Sequence, residues 1–467
     1  MNKVTIRNLL TDIRFWILFF FVLRLIGITN APLEMGHNWR QSLTNMIARN
    51  FLEGNPNLLY PQVDMAGNQT GIIGSEFPFF NYLIYLTASV FNYTHWYGRL
   101  INLTVSSFGI YYFYLLVKQI TNLKTAFNAT IILLVSIWFT FSRNIMPDTF
   151  SVSLVIIGLY FGYRYLIQGK GFKLLLFFFF ITLGMLCKIP ALSWVSVIAM
   201  VLLIKEVPMR RRMLMVGITA ISVAVVSIWY FYWVPYLIAT YRYQLYFPKG
   251  LVQGFYEILP LFPQFLSRFY FSSLYSFVGF GFVLAGIFFL AKNGHTYVKL
   301  GVTIITLTFF LFILKTGSVF PIHSYYSIPF TPIMAFLAGY GLTKIPLKFQ
   351  YLLLVIISIE GIANQQNDFF LKKTELYKLG LEQSLDAHVG KKDLIVINGG
   401  DSPQEIYFAH RKGWTLRNEQ MHQPTLDSLK NLGAAYLVIN NKNFTQPITY
   451  YPQVFADAHY NIYKMQP

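Results

Sequence analysis

The chain has 467 residues, of which 55% are hydrophobic, 18% aromatic and only 12% charged, against roughly 25% charged residues in a soluble domain. This balance excludes a soluble globular protein and indicates a polytopic, α-helical membrane protein. The net charge of +18 does not imply a nucleic-acid partner, because the Lys and Arg residues fall between apolar runs, where lipid headgroups and the positive-inside rule account for them.

The first apolar run, residues 13–29, lacks a small-residue cleavage site and leads into a polar stretch, so it is expected to be a first membrane span and not a cleaved signal. The stretch that follows, "GHNWRQSLTNMIARNF", predicts a helix over 38–53, with Asn38 and Gln41 as a capping box and Gly54 and Pro56 as the stop. Trp39, Leu43, Met46, Ile47 and Phe51 share one face and Arg40, Gln41, Thr44 and Ala48 the other, the pattern of a helix lying flat on a membrane surface. Arg40 falls in the first turn, where the helix dipole disfavours a cation unless an anion shares the site; a phosphate would serve. "GSEFPFF" then sets Glu76 ahead of Pro78 and a short apolar helix over 77–91, about the length of an interfacial or re-entrant segment.

Further spans are expected at 97–117, 125–142, 148–167, 172–187, 190–205, 213–237, 274–291, 300–316, 324–343 and 348–363, about eleven in all. With 77–91 not crossing, Lys3, Arg7, Arg14, Lys118, Lys124, Arg164, Lys170, Lys173, the Lys205 to Arg212 cluster, Lys292, Lys299, Lys344 and Lys348 gather on one face, the cytoplasmic one. Glu34, His37, Arg40, Asp64, Glu76, Arg143, Asp148, Lys188 and His323 are then expected on the opposite, outer face.

"SRNIMPDTF" confines Arg143 and Asp148 to a short turn between two spans, with a helix-capping role for Asp148 as the simpler alternative. "MLCKIPAL" embeds Lys188 between apolar runs, where an ammonium needs an anionic partner or must snorkel. "FPIHSYYSIPF" brings His323, Tyr325 and Tyr326 to the start of a late span, as a substrate contact or an ordinary aromatic belt. Residues 237–273 are expected as a long aromatic and basic outer loop. Beyond 363, "DLIVING" and "AAYLVINN" alternate with helical patterns and predict a small α/β domain over 364–467, following a membrane domain over 1–363 whose first outer loop is 30–96. The one cysteine, Cys187, excludes an internal disulfide. The sequons at Asn102 and Asn128 fall in or beside spans and are expected to be chance matches.

One span, a long loop with two short helices, and then a bundle opening on a second carboxylate turn: this order resembles the bacterial GT-C membrane glycosyltransferases of the protein O-mannosyltransferase and lipid A aminoarabinose transferase type (glycosyltransferase family 39-like). "SEFPFFNYL", the "PD" turn at Pro147–Asp148, "LCKIP" and "HSYYSIPFTP" carry the resemblance. It implies transfer of a sugar from a polyprenyl-phosphate donor to a lipid, glycan or protein acceptor, on the periplasmic side of an inner membrane. In this reading Arg40, Arg143 and Lys188 hold the donor phosphate, and Trp39, Gln41, His323, Tyr325 and Tyr326 contact substrate. The family usually opens its first juxtamembrane helix with Asp-Glu, and this chain has His37 and Asn38 there. His37 is then the expected base, with Asp64, Glu76 and Asp148 as alternatives or orienting partners and Glu34 as a further carboxylate of the same loop. No cofactor is required by the pattern, and a divalent metal has no motif to hold it. A transporter or lipid flippase, or a non-catalytic envelope scaffold, are the competing readings; the absence of repeats and of midplane charges argues against transport.

Overall fold

The computed structural model describes residues 6–34, 36–245, 247–444 and 446–466, so Lys3 lies outside the described residues. The chain packs as two compact units, one drawn from Met1–Ile28, Gly98–Tyr232 and Tyr246–Phe369 and the other from Thr29–Tyr97, Trp233–Leu245 and Phe370–Pro467.

The first unit is a helical bundle with a helix at each expected span position. Among the described residues four helices are long and apolar enough to cross a membrane: Tyr97–Ile120, Pro147–Gln168, Met209–Tyr241 and Thr296–Thr316. A fifth passes if Leu251–Ser272 and Phe277–Asn293, bent by 91° at their junction, count as one. Shorter apolar helices stand at Leu123–Val135, Gly171–Cys187, Ile189–Leu203 and Thr331–Leu342. Helix starts and stops follow local chemistry. Asn122 and Ser276 cap their helices by accepting from the Thr125 and Gly279 amides at 2.9 and 2.8 Å, and Gly169 ends Pro147–Gln168 in the left-handed conformation at φ 69°. Small residues bring helices together: a Cβ on Gly286 would overlap the Leu337 carbonyl, and one on Gly339 the Ala129 backbone. Residues 237–273 are not the loop expected from the sequence. Their aromatic and apolar residues form helices at Val234–Tyr241, Leu251–Ile258 and Phe262–Ser267, because the proline at 260 interrupts an otherwise helical pattern without abolishing it.

In the second unit the two short helices run Asn38–Glu53 and Phe79–Phe91, and a five-stranded sheet is formed by β1 (Leu394–Ile397), β2 (Gly413–Thr415), β3 (Ala434–Asn440), β4 (Gln453–Ala456) and β5 (Tyr460–Lys464). The strand order is β2-β1-β3-β5-β4, with β1 parallel to β2 and β3, and β5 antiparallel to β3 and β4. Gln404–Ala409 and Gln423–Asn431 are the helices of this α/β part. Leu43, Met46 and Phe51 enter the same core as Ile395, Tyr407 and Ile462.

The helix Asn38–Glu53 therefore corrects the picture of an amphipathic surface helix. Its polar side is buried too, with Gln41 and Asn45 fully enclosed and Arg49 only 4% exposed. Each finds a partner inside the unit: Gln41 Nε2 donates to the Gly36 carbonyl at 3.1 Å, Asn45 Nδ2 to the His95 carbonyl at 3.0 Å, and Arg49 to the Tyr407 carbonyl at 3.0 Å. Buried polar groups persist because they are satisfied this way.

Candidate active site

In the first unit the turn "SRNIMPD" closes Trp138–Phe141 and opens Pro147–Gln168. Pro147 occupies the first helical position, where its missing N–H costs nothing, and Asp148 follows in the first turn, 4% exposed. The turn is pinned by Asn102, a residue that sequence reasoning set aside. Its Nδ2 donates to the carbonyls of Phe141, Asn144 and Met146 at 2.9, 2.9 and 3.1 Å, and its Oδ1 accepts from Thr149 Oγ1 at 2.9 Å. Only the four-residue geometry of the turn reveals this; a lone Asn in an apolar helix gives no signal in the sequence beyond its polarity.

Lys188 caps Gly171–Cys187, which cannot continue because Pro190 follows. Its Nζ lies 3.7 Å from Asp148 Oδ1, so the carboxylate turn and the lysine between short apolar runs meet in space. Among the described residues Asp148 Oδ2 makes no hydrogen bond, and neither polar atom of the Asn144 side chain does, although Asn144 is 1% exposed. Two orphaned buried polar groups in one turn are unusual in a native fold and indicate a place for a polar ligand.

Arg143, from the same turn, is directed elsewhere. Its guanidinium donates to the Arg24 and Ile26 carbonyls at 3.1 and 2.8 Å and covers the Phe369 ring at 4.2 Å, where the C-terminal carbonyls of the helix Ile13–Arg24 favour a cation. His323, Tyr325 and Tyr326 form a stacked aromatic group, with ring centroids 5.4 Å apart for His323 and Tyr325 and 4.6 Å for the two tyrosines. Arg268 ties the preceding turn by donating to the Pro321 and Ile322 carbonyls.

In the second unit Arg40 pairs with Glu76, each about one-sixth exposed. Glu76 thus supplies the anion that the first-turn arginine requires, a role for which the sequence offered a phosphate. The expected capping box does not form: Asn38 is already helical, and His37 is the N-cap residue with no side-chain cap bond and a left-handed φ of 51°. A non-glycine residue held there is uncommon, and such conformations concentrate at functional positions. Trp39 Nε1 donates to the Asp401 carbonyl at 2.7 Å, linking the helix start to the loop after β1.

Asp64 is placed apart from Glu76. Its carboxylate accepts from Arg49 at 3.1 Å and from Asn50 at 2.9 Å, while its backbone carbonyl accepts from the Gly413 amide at 2.9 Å. Arg49 itself stacks over the Tyr407 ring at 4.8 Å. A carboxylate fully engaged in this way serves to hold the loop to the helix and to β2. Glu34 is buried and bridges Leu371 in a short antiparallel pairing.

The chemistry available is thus a carboxylate with one unengaged oxygen beside an ammonium in the first unit, and an arginine–glutamate pair at a helix start in the second. The former can accept a proton and neutralise a leaving anion; the latter can orient a polar group at free helix amides. No group of three or more His, Cys, Asp or Glu side chains placed to hold a metal ion occurs among the described residues.

Comparison with known proteins bears on the same elements. Residues 75–232, which include Glu76, Asn102, Asp148 and Lys188, match the family described as dolichyl-phosphate-mannose-protein mannosyltransferase. ArnT from Cupriavidus metallidurans, solved bound to undecaprenyl phosphate, superposes with a TM-score of 0.64 at 12% identity, covering 97% of this chain and 98% of that one. The Archaeoglobus fulgidus oligosaccharyltransferase in the apo form gives 0.58 at 10% identity over 91% of this chain and 69% of that one. The archaeal oligosaccharyltransferase AglB, in complex with an inhibitory peptide and a dolichol-phosphate, gives 0.57 at 12% identity over 92% and 70%. No curated protein sequence matches the chain at a significant level. At such low identity the likeness establishes the fold and leaves the role of each side chain to its geometry.

Proposed function

We propose that this multi-pass membrane protein, which has the GT-C fold, moves a sugar from a polyprenyl-phosphate donor to a hydroxyl of a lipid, glycan or protein acceptor at the outer face of the inner membrane, as its match to the mannosyltransferase family over residues 75–232 suggests. The observation that carries this reading is the buried Asp148, with Oδ1 3.7 Å from Lys188 Nζ and Oδ2 unengaged. Solved proteins of this fold that hold undecaprenyl phosphate or a dolichol-phosphate support the class of donor. Positive-inside charge supports the side.

In this proposal Asp148 takes the acceptor hydroxyl proton as the oxygen attacks the anomeric carbon. The bond from that carbon to the phosphate oxygen breaks, and the polyprenyl phosphate leaves against the Lys188 ammonium. Asp148 replaces His37 as the favoured base, since its environment leaves a carboxylate oxygen ready to accept. Arg40 and Glu76 position the start of Asn38–Glu53, and the tyrosines at 325 and 326 provide an aromatic face for a sugar.

Purified protein given a polyprenyl-phosphate sugar and cell-envelope acceptors is expected to release polyprenyl phosphate. Asp148→Asn should lower kcat by about 10²–10⁴-fold, the usual worth of a general base, while Lys188→Gln should lower both kcat and apparent donor affinity. Unchanged turnover in both variants would refute the assignment.

A further inference from the structure

The first unit also holds a cavity displaced from Asp148 along the helix Pro147–Gln168. A cavity of about 410 Å³ opens between Tyr97–Ile120, Pro147–Gln168, Met209–Ile228, Thr296–Thr316 and the 3-10 stretch Ser196–Leu203, within the range of about 300–1,000 Å³ that holds small-molecule ligands. Its walls include Phe113, Leu159, Trp194, Ile198, Val201 and Ile305. On the shared helix Pro147–Gln168 the lining begins at Leu159 and ends at Leu166, which at about 1.5 Å per residue is roughly 16–27 Å along the axis from Asp148. The two places are therefore chemically separate.

Polar lining is confined largely to the mouth, where Gln119, Ile120 and His295 are exposed. Basic residues adjoin the lining in the chain: Lys118 stands between the lining residues Val117 and Gln119, Lys205 follows Ile204, and Lys299 follows Val298 and donates to the Ala291 carbonyl at 3.4 Å. None of the three lysines forms an ion pair among the described residues. Glu206 is the one carboxylate adjoining Lys205 in the chain. Arg211 and Arg212, by contrast, donate to the carbonyls of Leu166, Ile167 and Leu202 and hold the helix ends around the opening.

An apolar interior solvates hydrocarbon and not water, and a cationic rim favours a negative headgroup. From this charge complementarity we propose that the cavity takes one acyl chain of an anionic phospholipid, with the phosphate held by Lys118, Lys205 and Lys299. The sequence reading of the basic end as cytoplasmic assigns this lipid to the inner leaflet. The eight-residue 3-10 wall, longer than such helices usually run, is the element that a bound chain would brace.

Trp194 provides the test, since it lines the cavity. The full chain is reconstituted in phosphatidylcholine nanodiscs containing either phosphatidylglycerol or phosphatidylcholine with brominated acyl chains, and tryptophan quenching in the wild type is compared with Trp194→Phe. The brominated phosphatidylglycerol is expected to quench the Trp194 component, and the brominated phosphatidylcholine is not. Lys118→Gln combined with Lys205→Gln and Lys299→Gln should weaken that selectivity roughly tenfold or more. Gly301→Leu, in the cavity wall, where an added Cβ would already stand 3.3 Å from Val197 Cγ2, should abolish quenching by filling the space. Equal quenching by both lipids, or none by either, overturns the proposal. Displacement of the brominated lipid by stoichiometric polyprenyl phosphate would overturn it in favour of an isoprenoid occupant.

Discussion

His410 joins two segments far apart in the chain. Its Nε2 meets Glu53 at 2.8 Å and its Nδ1 meets Glu382 at 2.5 Å, so one imidazole fixes the end of Asn38–Glu53 to the α/β part of the second unit. The hydrogen bond from His410 holds the Glu382 carboxyl down at about 2 from an ordinary 4.5, and the same bond, followed by that to Glu53, raises His410 above 6.5. A raised histidine stabilises fully below its unfolded value and loses this as pH rises through the folded one. A depressed carboxyl stabilises fully above its unfolded value and loses this as pH falls through the folded one. The clamp is therefore complete between about 4.5 and 6.5. Thermal unfolding of the full chain followed against pH should show its highest midpoint in that window, and His410→Ala should flatten the alkaline side. An unaltered pH profile in His410→Ala would show that the clamp contributes nothing. None of this is legible in the sequence, where His410, Glu53 and Glu382 are three unrelated polar residues. Asp148 and Lys188 are legible, because an apolar chain leaves few reasons for a charge to survive in a short turn. Asp64 is the intermediate case: its carboxylate stands out, but its partners Arg49 and Asn50 come from a helix whose buried side the sequence presents as exposed.

At the level of elements, the end of Asn38–Glu53 follows from Gly54, and hydropathy places the helices of the expected spans but not those within 237–273. Environment was harder to foresee. A face bearing Gln41, Asn45 and Arg49 looks solvated until the carbonyls of Gly36, His95 and Tyr407 are in place to satisfy it. Helix contacts are likewise written in glycine, but ambiguously. A side chain on Gly286 would strike the Leu337 carbonyl, whereas one on Gly217 meets nothing within 4 Å. Gly286→Ala is thus expected to destabilise by about 1–3 kcal/mol through forced separation of Phe277–Asn293 from Thr331–Leu342. Gly217→Ala should be neutral or stabilise by up to about 1 kcal/mol from helix propensity. Thermal midpoints of both variants in one detergent check the contrast; equal shifts would contradict the packing argument.

For the whole molecule, the α/β character of the C-terminal region was visible because short β-branched runs alternate with polar helical patterns, and β1, β3 and two helices stand at those places. What composition could not convey is that this region shares one core with the loop that follows the first span. Leu43, Met46, Ile395 and Ile462 belong to one apolar cluster, although more than 300 residues of chain separate its two halves. A chain ended after Phe369 should therefore leave residues 29–97 without their hydrophobic partners. Limited proteolysis of membranes carrying that truncation is expected to cut within Asn38–Glu53, which the full chain protects; equal protection would show that the loop folds by itself.

The same shared core sets a timetable for biogenesis. The strands that cover Leu43 and Met46 are made more than 300 residues after them, and contacts of such long separation form late because loop closure must precede them. During the translation of every intervening span, the helix that carries Arg40 has an uncovered apolar face. The protein thus needs either a holding factor or the membrane interface to shelter that face until the strands at 394–464 are delivered, so the core of the second unit cannot close before they are made.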